Sequence, residues 1–408
     1  MRALWGWSLV SLLWGCGGED ARPATYDGDR APTIENHHAR RVVGPLGDPI
    51  TANPLAGVFS IPVRVNGLSG PPMIIDTGSP MTFVAPGAYG GMGAAETTGS
   101  VTLEAGSFAL EEVPIVWSQP FGLGAATGIL GVNVICQFTA TWDWQRSRFF
   151  LGAAPTDVET EGDEVRLPFR LLGGGTSRFS VNGPLVALPA TRIVVDVTLE
   201  GRPLRMLVDT GASFTALRES LVEELVADGR RSLIVQSVVQ GGVASTRIAR
   251  ARSMEGLGVR REGAVVVGYS AAGLSSLSAE TGGNVDGLLG VDFMNEWLTI
   301  IDYPAGVVRL RRYRDRAHAA DVWRRVGLVA LRAPDGAVRV AEVFGGTDAA
   351  REGFTANEVL LSVDGVPLDG RSDVEVDRML RGAVGETRRV QAEHHAANLV
   401  VTDLLALP

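Results

Sequence analysis

One motif occurs twice in this chain in matching surroundings, and that repeat limits the folds open to it more than any other feature. Ile61 to Val84 reads IPVRVNGLSGPPMIIDTGSPMTFV, and Val194 to Leu217 reads VVDVTLEGRPLRMLVDTGASFTAL. Each copy opens as an alternating strand, turns at a glycine (Gly67 or Gly201), and runs as an apolar strand into Asp-Thr-Gly. A second block follows each: GILGV at Gly128 to Val132 and GLLGV at Gly287 to Val291. An aspartate then stands 12 residues beyond Gly131 (Asp143) and 12 beyond Gly290 (Asp302), each followed by an aromatic residue and a β-rich segment. Asp76 and Gly131 are 55 residues apart and Asp209 and Gly290 are 81 apart, so the second copy carries 26 extra residues between matching ends. Two lobes of one fold, joined near Thr156 to Thr191, account for this pattern.

Strands dominate both lobes. One helix is expected after the second motif, over Glu219 to Ala227, with Leu221, Val222, Leu225 and Val226 at helical spacing. Pro80 and Pro86 oppose a counterpart in the first lobe. Val101 to Leu103 and Phe108 to Val116 read as a strand pair in the first lobe's core. Ser232 to Val239 and Thr246 to Ala251 read as strands around a hairpin tip at Gln240, Gly241 and Gly242. The matching stretch of the first lobe, Pro86 to Gly99, is shorter and glycine-rich, and its Tyr89 reads either as facing substrate or as plain surface. Beyond Arg311 a charge-rich run reads as a linker, partly helical, and a further domain fills the C-terminus.

Composition narrows the chemistry. A length of 408 residues suits two or three domains, and a net charge of -9 opposes a nucleic-acid partner, which needs a basic face. All 37 basic residues are Arg, which excludes a lysine nucleophile, a Schiff base or a P-loop lysine. The histidines form no HExxH, and two cysteines cannot build a cysteine zinc cluster, so no metal and no organic cofactor is implied. The N-terminus, residues 1–16, reads as a targeting segment, a lipoprotein-type signal peptide in which Arg2 precedes an apolar stretch, Ala3 to Trp14, too short to span a bilayer. It ends in Leu13-Trp14-Gly15-Cys16, which resembles a bacterial lipobox. Two readings follow: lipidation at Cys16, anchoring the protein to the cell envelope with the outer membrane favoured, or plain secretion with cleavage nearby. Residues 17–50 read as a disordered tether. Cys136, after an apolar run, reads as a thiol in the core, so no disulfide framework is expected.

Apolar-apolar-Asp-Thr-Gly twice, each with apolar-apolar-Gly downstream, resembles the aspartic protease superfamily over about Gly57 to Arg312. The similarity is greatest to bacterial retropepsin-like proteases with a C-terminal PDZ domain. The resemblance implies a mostly β, bilobal acid-protease fold with both halves in one chain, lobe 1 over 51–155 and lobe 2 over 156–313. Asp76 and Asp209 would be the catalytic carboxylates. Thr77 and Thr210 would cross-bond the lobes beneath them, Gly78 and Gly211 would permit the tight turn and close approach of the loops, and Gly131 and Gly290 would pass behind the loops. Gln240, Gly241 and Gly242 would form a flap. Two adjacent carboxylates share a proton, one activating water while the other protonates the substrate amide. Ser79 follows the first motif and Ala212 the second. A hydroxyl at Ser79 can donate to the outer carboxylate oxygen and Ala212 cannot, which implies an optimum on the order of pH 4 to 6.

Residues 322–408 resemble a PDZ domain: Val338 to Val343, then GGTDAAREGF, then Glu358 to Gly365, with a groove helix at Asp373 to Leu380. Val326, Gly327 and Leu328 would offer backbone N–H groups to the terminal carboxylate of a protein tail. The function implied is an endopeptidase cutting extended polypeptides, with the PDZ domain recruiting tails or regulating access. The rival reading is a non-catalytic envelope scaffold that binds peptides in both places.

Overall fold

The computed structural model describes residues 9–10, 41–55, 57–90, 98–118, 128–152, 154–178, 185–188, 190–239, 242–314, 322–333 and 335–407. The chain forms two compact units. One comprises Leu9–Leu225 with Ile234–Asp315, and the other is built mainly on Arg316–Pro408 with Val226–Leu233. Lobe 1 and all of lobe 2 but Val226–Leu233 lie in the first unit, which is mostly β.

Each lobe is a curled sheet with the same inner order. In lobe 1 the Met73–Ile75 strand pairs in parallel with Gly128–Leu130, which pairs antiparallel with Thr82–Val84. In lobe 2 Arg202–Val208 pairs in parallel with Gly287–Leu289, which pairs antiparallel with Thr215–Arg218. Met73–Ile75, Gly128–Leu130, Gly287–Leu289 and the Met206–Val208 end of the Arg202–Val208 strand are fully buried and read as short apolar runs, as strands covered on both faces do. Each sheet extends outward through hairpins: Thr98–Ala105 with Phe108–Trp117 in lobe 1, and Ser232–Val239 with Gly242–Arg250 in lobe 2.

A six-stranded sheet carries strands of both lobes. Its order runs Thr160–Pro168, Val307–Tyr313, Trp297–Asp302, Thr139–Asp143, Arg148–Leu151, Ile50–Thr51. The two lobes meet where Thr139–Trp142 pairs antiparallel with Asp302–Thr299. Asp143 is buried here and accepts hydrogen bonds from Arg148 (Nε 3.0 Å, Nη2 2.8 Å) and from Tyr313 (3.2 Å). Asp302 caps the following turn through the Ala305 N–H at 3.2 Å. The aspartates that extend the repeat are therefore framework residues.

Several boundaries differ from the sequence reading. The tether expected over 17–50 is ordered at its end: Arg41–Val43 adds to the Phe108–Trp117 strand, and Ile50 is buried against lobe 1. The β-branched pair Val42-Val43 fits an open sheet edge, which accepts such a segment readily. Leu9–Val10, from the expected targeting segment, lies as a two-residue parallel strand on Ser237–Val238. The linker expected beyond Arg311 starts later, since Val307–Tyr313 alternates outward arginine with inward Leu310 and Tyr313. The first lobe-2 helix is Glu219–Val226, one residue shorter than expected. A second helix, Ala271–Thr281, was not expected. Its apolar stripe is only Leu274 and Leu277, so periodicity gives little signal, and its ends are set by Ser270, which accepts from Gly273 N–H, and by the left-handed Gly282.

The C-terminal unit has its own core, including Val326, Leu328, Val340, Phe354, Leu360, Val376, Leu380 and Leu399. A hairpin of Leu328–Arg332 with Val338–Val343 is followed by a short helix, Asp348–Arg351, capped by Thr347. A sheet of Leu360–Val363, Val366–Pro367, Thr387–Ala392 and Ala396–Val400 completes it. The Asp373–Met379 helix carries a reciprocal Ser372–Glu375 capping box and packs beside the Leu328–Arg332 strand. Among the described residues, no helix is long and apolar enough to cross a membrane.

Candidate active site

Asp76 and Asp209 each follow the end of a buried central strand, and the structure brings their two loops into contact. A Cβ on Gly78 would fall 2.6 Å from the Asp209 Cγ, and one on Gly211 would fall 2.5 Å from the Asp76 Cγ. Only glycine permits this approach, and the exclusion is reciprocal. Each carboxylate is aimed by its own loop: the Gly78 N–H donates to Asp76 Oδ1 at 2.6 Å and the Gly211 N–H to Asp209 Oδ1 at 2.9 Å. Both aspartates are completely buried, and the Oδ2 of each has no hydrogen-bond donor among the described residues.

Beneath the carboxylates the two threonines exchange hydrogen bonds across the lobes. The Thr77 N–H donates to Thr210 Oγ1 (3.1 Å) and the Thr210 N–H to Thr77 Oγ1 (2.9 Å). Each hydroxyl then donates to the other lobe's strand, Thr77 to the Val208 carbonyl (2.9 Å) and Thr210 to the Ile75 carbonyl (3.0 Å). Donor and acceptor capacity are both used, as burial demands.

Gly131 and Gly290 stand behind the loops. A Cβ on Gly131 would strike the backbone of Met81, and one on Gly290 the backbone of Phe214 and Thr215. A further pair that the repeat did not bring to notice lies alongside. Thr82 Oγ1 donates to Asn133 Oδ1 at 2.9 Å in lobe 1, and Thr215 Oγ1 donates to Asp292 Oδ1 at 2.9 Å in lobe 2. Asn133 and Asp292 each lie two residues past the second-block glycine, so the repeat contained the signal.

Burial raises the proton affinity of both site carboxyls. Asp76 is held well above the ordinary carboxyl range, by burial first and then by the neighbouring Asp209 charge. Burial also pushes Asp209 up, to about 6, against the hydrogen bond to Asp76, the Gly211 N–H, the positive charge of Arg192 and the Ala212 N–H. Charges this close titrate as a pair.

Three sequence expectations are corrected. The Ser79 hydroxyl does not serve the carboxylates, because it donates to the Met81 carbonyl at 2.8 Å across its own turn. Ser79 and Ala212 are both fully buried, and neither side chain supplies a hydroxyl proton to the pair. Tyr89 does not face a cleft: it is fully buried, its ring lies against Gly70, and its hydroxyl donates to the Pro71 carbonyl at 3.0 Å. In the C-terminal unit the Val326 N–H is engaged by the Leu380 carbonyl at 3.1 Å, so it is not open to a peptide carboxylate. Gly327 adopts φ +85°, where a Cβ would collide with Thr347, and Leu328 starts its strand with its carbonyl accepting from Arg325 Nε at 2.9 Å.

Gly242 opens the second strand of its hairpin, whereas Gln240 and Gly241 lie outside the described residues, as does Cys16. The Cys136 thiol is pushed up to about 12 by burial. Among the described residues no group of three or more His, Cys, Asp or Glu could hold a metal ion.

Residues 195–293 match the family model described as Aspartyl protease. No curated protein matches. Among solved structures, the crystal structure of aspartic proteinase from Irpex lacteus is 13% identical with a TM-score of 0.42, covering 66% of this chain and 98% of that one. From the strand before Asp209 through the Gly290 block, the chain is similar to aspartyl proteases.

Proposed function

We propose that the chain is an aspartic endopeptidase in which Asp76 and Asp209 form one catalytic pair. The observation that carries this reading is the reciprocal approach of the two loops, each glycine lying where a Cβ would overlap the opposite carboxyl. A binding scaffold has no use for two buried carboxyls forced together at such electrostatic cost. In the singly ionised pair, one carboxylate takes a proton from a water as its oxygen attacks the scissile carbonyl carbon. The other carboxyl gives its proton to the carbonyl oxygen, forming a tetrahedral diol. Collapse of the diol breaks the C–N bond, the amine leaves protonated, and the pair returns to its single proton. Polypeptides bound as extended strands are the substrates.

The C-terminal unit acts as a PDZ-like recruiting module. Among the described residues the Leu328–Arg332 strand has one neighbour in its sheet, Val338–Val343, and the Asp373–Met379 helix beside it. A peptide tail adds between strand and helix. Lipidation at Cys16 holds the enzyme at the envelope membrane.

The test is cleavage of a peptide library by the full chain, with Asp76→Asn and Asp209→Asn as controls. Activity lost in both variants and not restored by mixing them supports one pair within one chain. Recovery on mixing would place the site between chains. Peptide binding without cleavage by the wild type, unchanged in the variants, would favour the scaffold.

A further inference from the structure

Arg192 is 2% exposed, at the start of the Arg192–Leu199 strand. Its Nη2 donates to Glu280 Oε2 at 2.7 Å, while Nη1 is buried without an acceptor among the described residues. The strand pairs antiparallel with Arg202–Val208, Val194 opposite Leu207. Carried two residues further, that register brings Arg192 level with Asp209. Glu280 reaches the guanidinium from the Ala271–Thr281 helix. The pair is roofed by the Leu171–Leu172 strand, which pairs with Ile193 and Arg192, and by Gly173, whose Cβ would meet Arg192 Cγ at 3.3 Å.

A buried ion pair is rarely retained for stability, because desolvation offsets its attraction. Lobe 1 shows that the fold does not need it. The residue equally far before Asp76 is Phe59, which packs on Trp144 at 4.5 Å between ring centroids, and its neighbour Val58 is also buried. A charge placed in one lobe, at a position the other fills with apolar side chains, calls for a functional account.

We propose that Arg192, oriented by Glu280, is a positioning residue for the carboxylate pair, its charge setting from lobe 2 alone the pH at which Asp76 and Asp209 work. This rests on the aspartic-endopeptidase reading of the same site. With Ser79 turned to the Met81 carbonyl and Ala212 lacking a hydroxyl, the Arg192 charge takes the part that a hydroxyl beside the motif was expected to play. Its field reaches both site carboxyls and favours their ionised form. The other groups facing the cluster are Tyr269, at the end of the Val265–Tyr269 strand, and Tyr303 after Trp297–Asp302, with Cys136 behind it. All three are held neutral by burial. Leu171, Leu172 and Gly173 add no charge, so Glu280 is the one counter-charge in this cluster among the described residues.

Two readouts on the full chain test this: the pH profile of kcat/KM, and the titration of 13C-carboxyl aspartate followed by NMR, assigned with Asp76→Asn and Asp209→Asn. Arg192→Gln should move the acid limb, and the titration of the pair, upward by roughly one pH unit. Arg192→Lys should return most of that shift. Glu280→Gln, which removes the counter-charge, should move both toward acid. The double variant Arg192→Gln/Glu280→Gln keeps the buried site neutral and guards against misfolding, and it should still show the upward shift. A folded double variant with unmoved profile and titration overturns the proposal. If the wild type cleaves no peptide but the carboxyl titration shifts as stated, the endopeptidase reading fails and the role of Arg192 stands.

Discussion

Lobe 1 and lobe 2 share a backbone frame and differ in where they keep charge. The aspartate loops, the threonine exchange and the second-block glycines are matched bond for bond, with corresponding distances within a few tenths of an ångström. At two positions around that frame lobe 1 is uncharged, with Val58 and Phe59 at the strand start and Asn133 behind Thr82. Lobe 2 has Arg192 with Glu280 in the first place and Asp292 in the second. Its added helices, Glu219–Val226 and Ala271–Thr281, occupy the 26 extra residues between Asp209 and Gly290 in part, and the second of them carries Glu280. Geometry at the site is thus a property of the repeat, while electrostatics is a property of one copy.

The largest expected effect tests whether the matched parts are equivalent. Asp76→Asn and Asp209→Asn should each lower kcat by on the order of a thousandfold or more without unfolding, since an amide cannot share the proton. A variant retaining a tenth of wild-type activity would mean that its lobe contributes scaffold only. Next, Thr77→Val and Thr210→Val should destabilise the protease unit about equally, by roughly 2 to 4 kcal/mol, because each leaves a buried N–H and a buried carbonyl unpaired. Denaturant midpoints that differ widely between the two would break the symmetry of the frame.

A smaller effect concerns the working range. With Asp209 pushed up to about 6, the singly ionised pair forms as pH rises through that region, so activity should climb there rather than near pH 2. This is the upper edge of the range expected from sequence. A kcat/KM profile already flat above pH 4 would contradict it.

The smallest effect separates Asn133 from Asp292. The Asp292 carboxyl is enclosed, although the residue as a whole is half-buried, and burial pushes it up to about 6 in spite of Arg261 and the Thr215 hydrogen bonds. A carboxyl raised in the folded state contributes stability that is fully present below its unfolded value. That contribution is lost as pH rises through the folded one. Asp292→Asn keeps the Oδ1 acceptor and removes the titration. It should therefore leave stability unchanged near pH 3.5 and raise it by on the order of 1 to 3 kcal/mol at pH 7. Asn133→Asp should impose the same pH dependence on lobe 1. Thermal melts at the two pH values decide both.

The matched frame was legible in the sequence because its residues are contiguous: Asp-Thr-Gly and the second glycine block each span a handful of positions. The charges were not, because their partners are far apart in the chain. Arg192 and Glu280 are separated by 88 residues. Carrying the repeat two residues further upstream would still have set Arg192 against Phe59 and exposed a lone charge in an apolar strand. The Ser79 hydroxyl was misread for a different reason. Its acceptor is fixed by the local turn, where the Met81 carbonyl lies closer to hand than the next loop. Likewise the strand and helix order of the C-terminal unit followed from patterning, but the use of the Val326 N–H by Leu380 depends on how the chain closes.

The sheet shared by the lobes, in which Thr139–Trp142 pairs with Asp302–Thr299, joins two similar bodies that remain one polypeptide. In an assembly of two identical chains any side chain added to one half is added to the other. An arginine beside one carboxylate would be met by a second beside its twin, and two like charges would crowd the same small space. Covalent linkage lifts that constraint. Each half can change a residue without committing its sister, so the pair of carboxyls can sit in a lopsided field while the loops that hold them stay mirror-like. Arg192, present once, is a change that only a fused chain can keep.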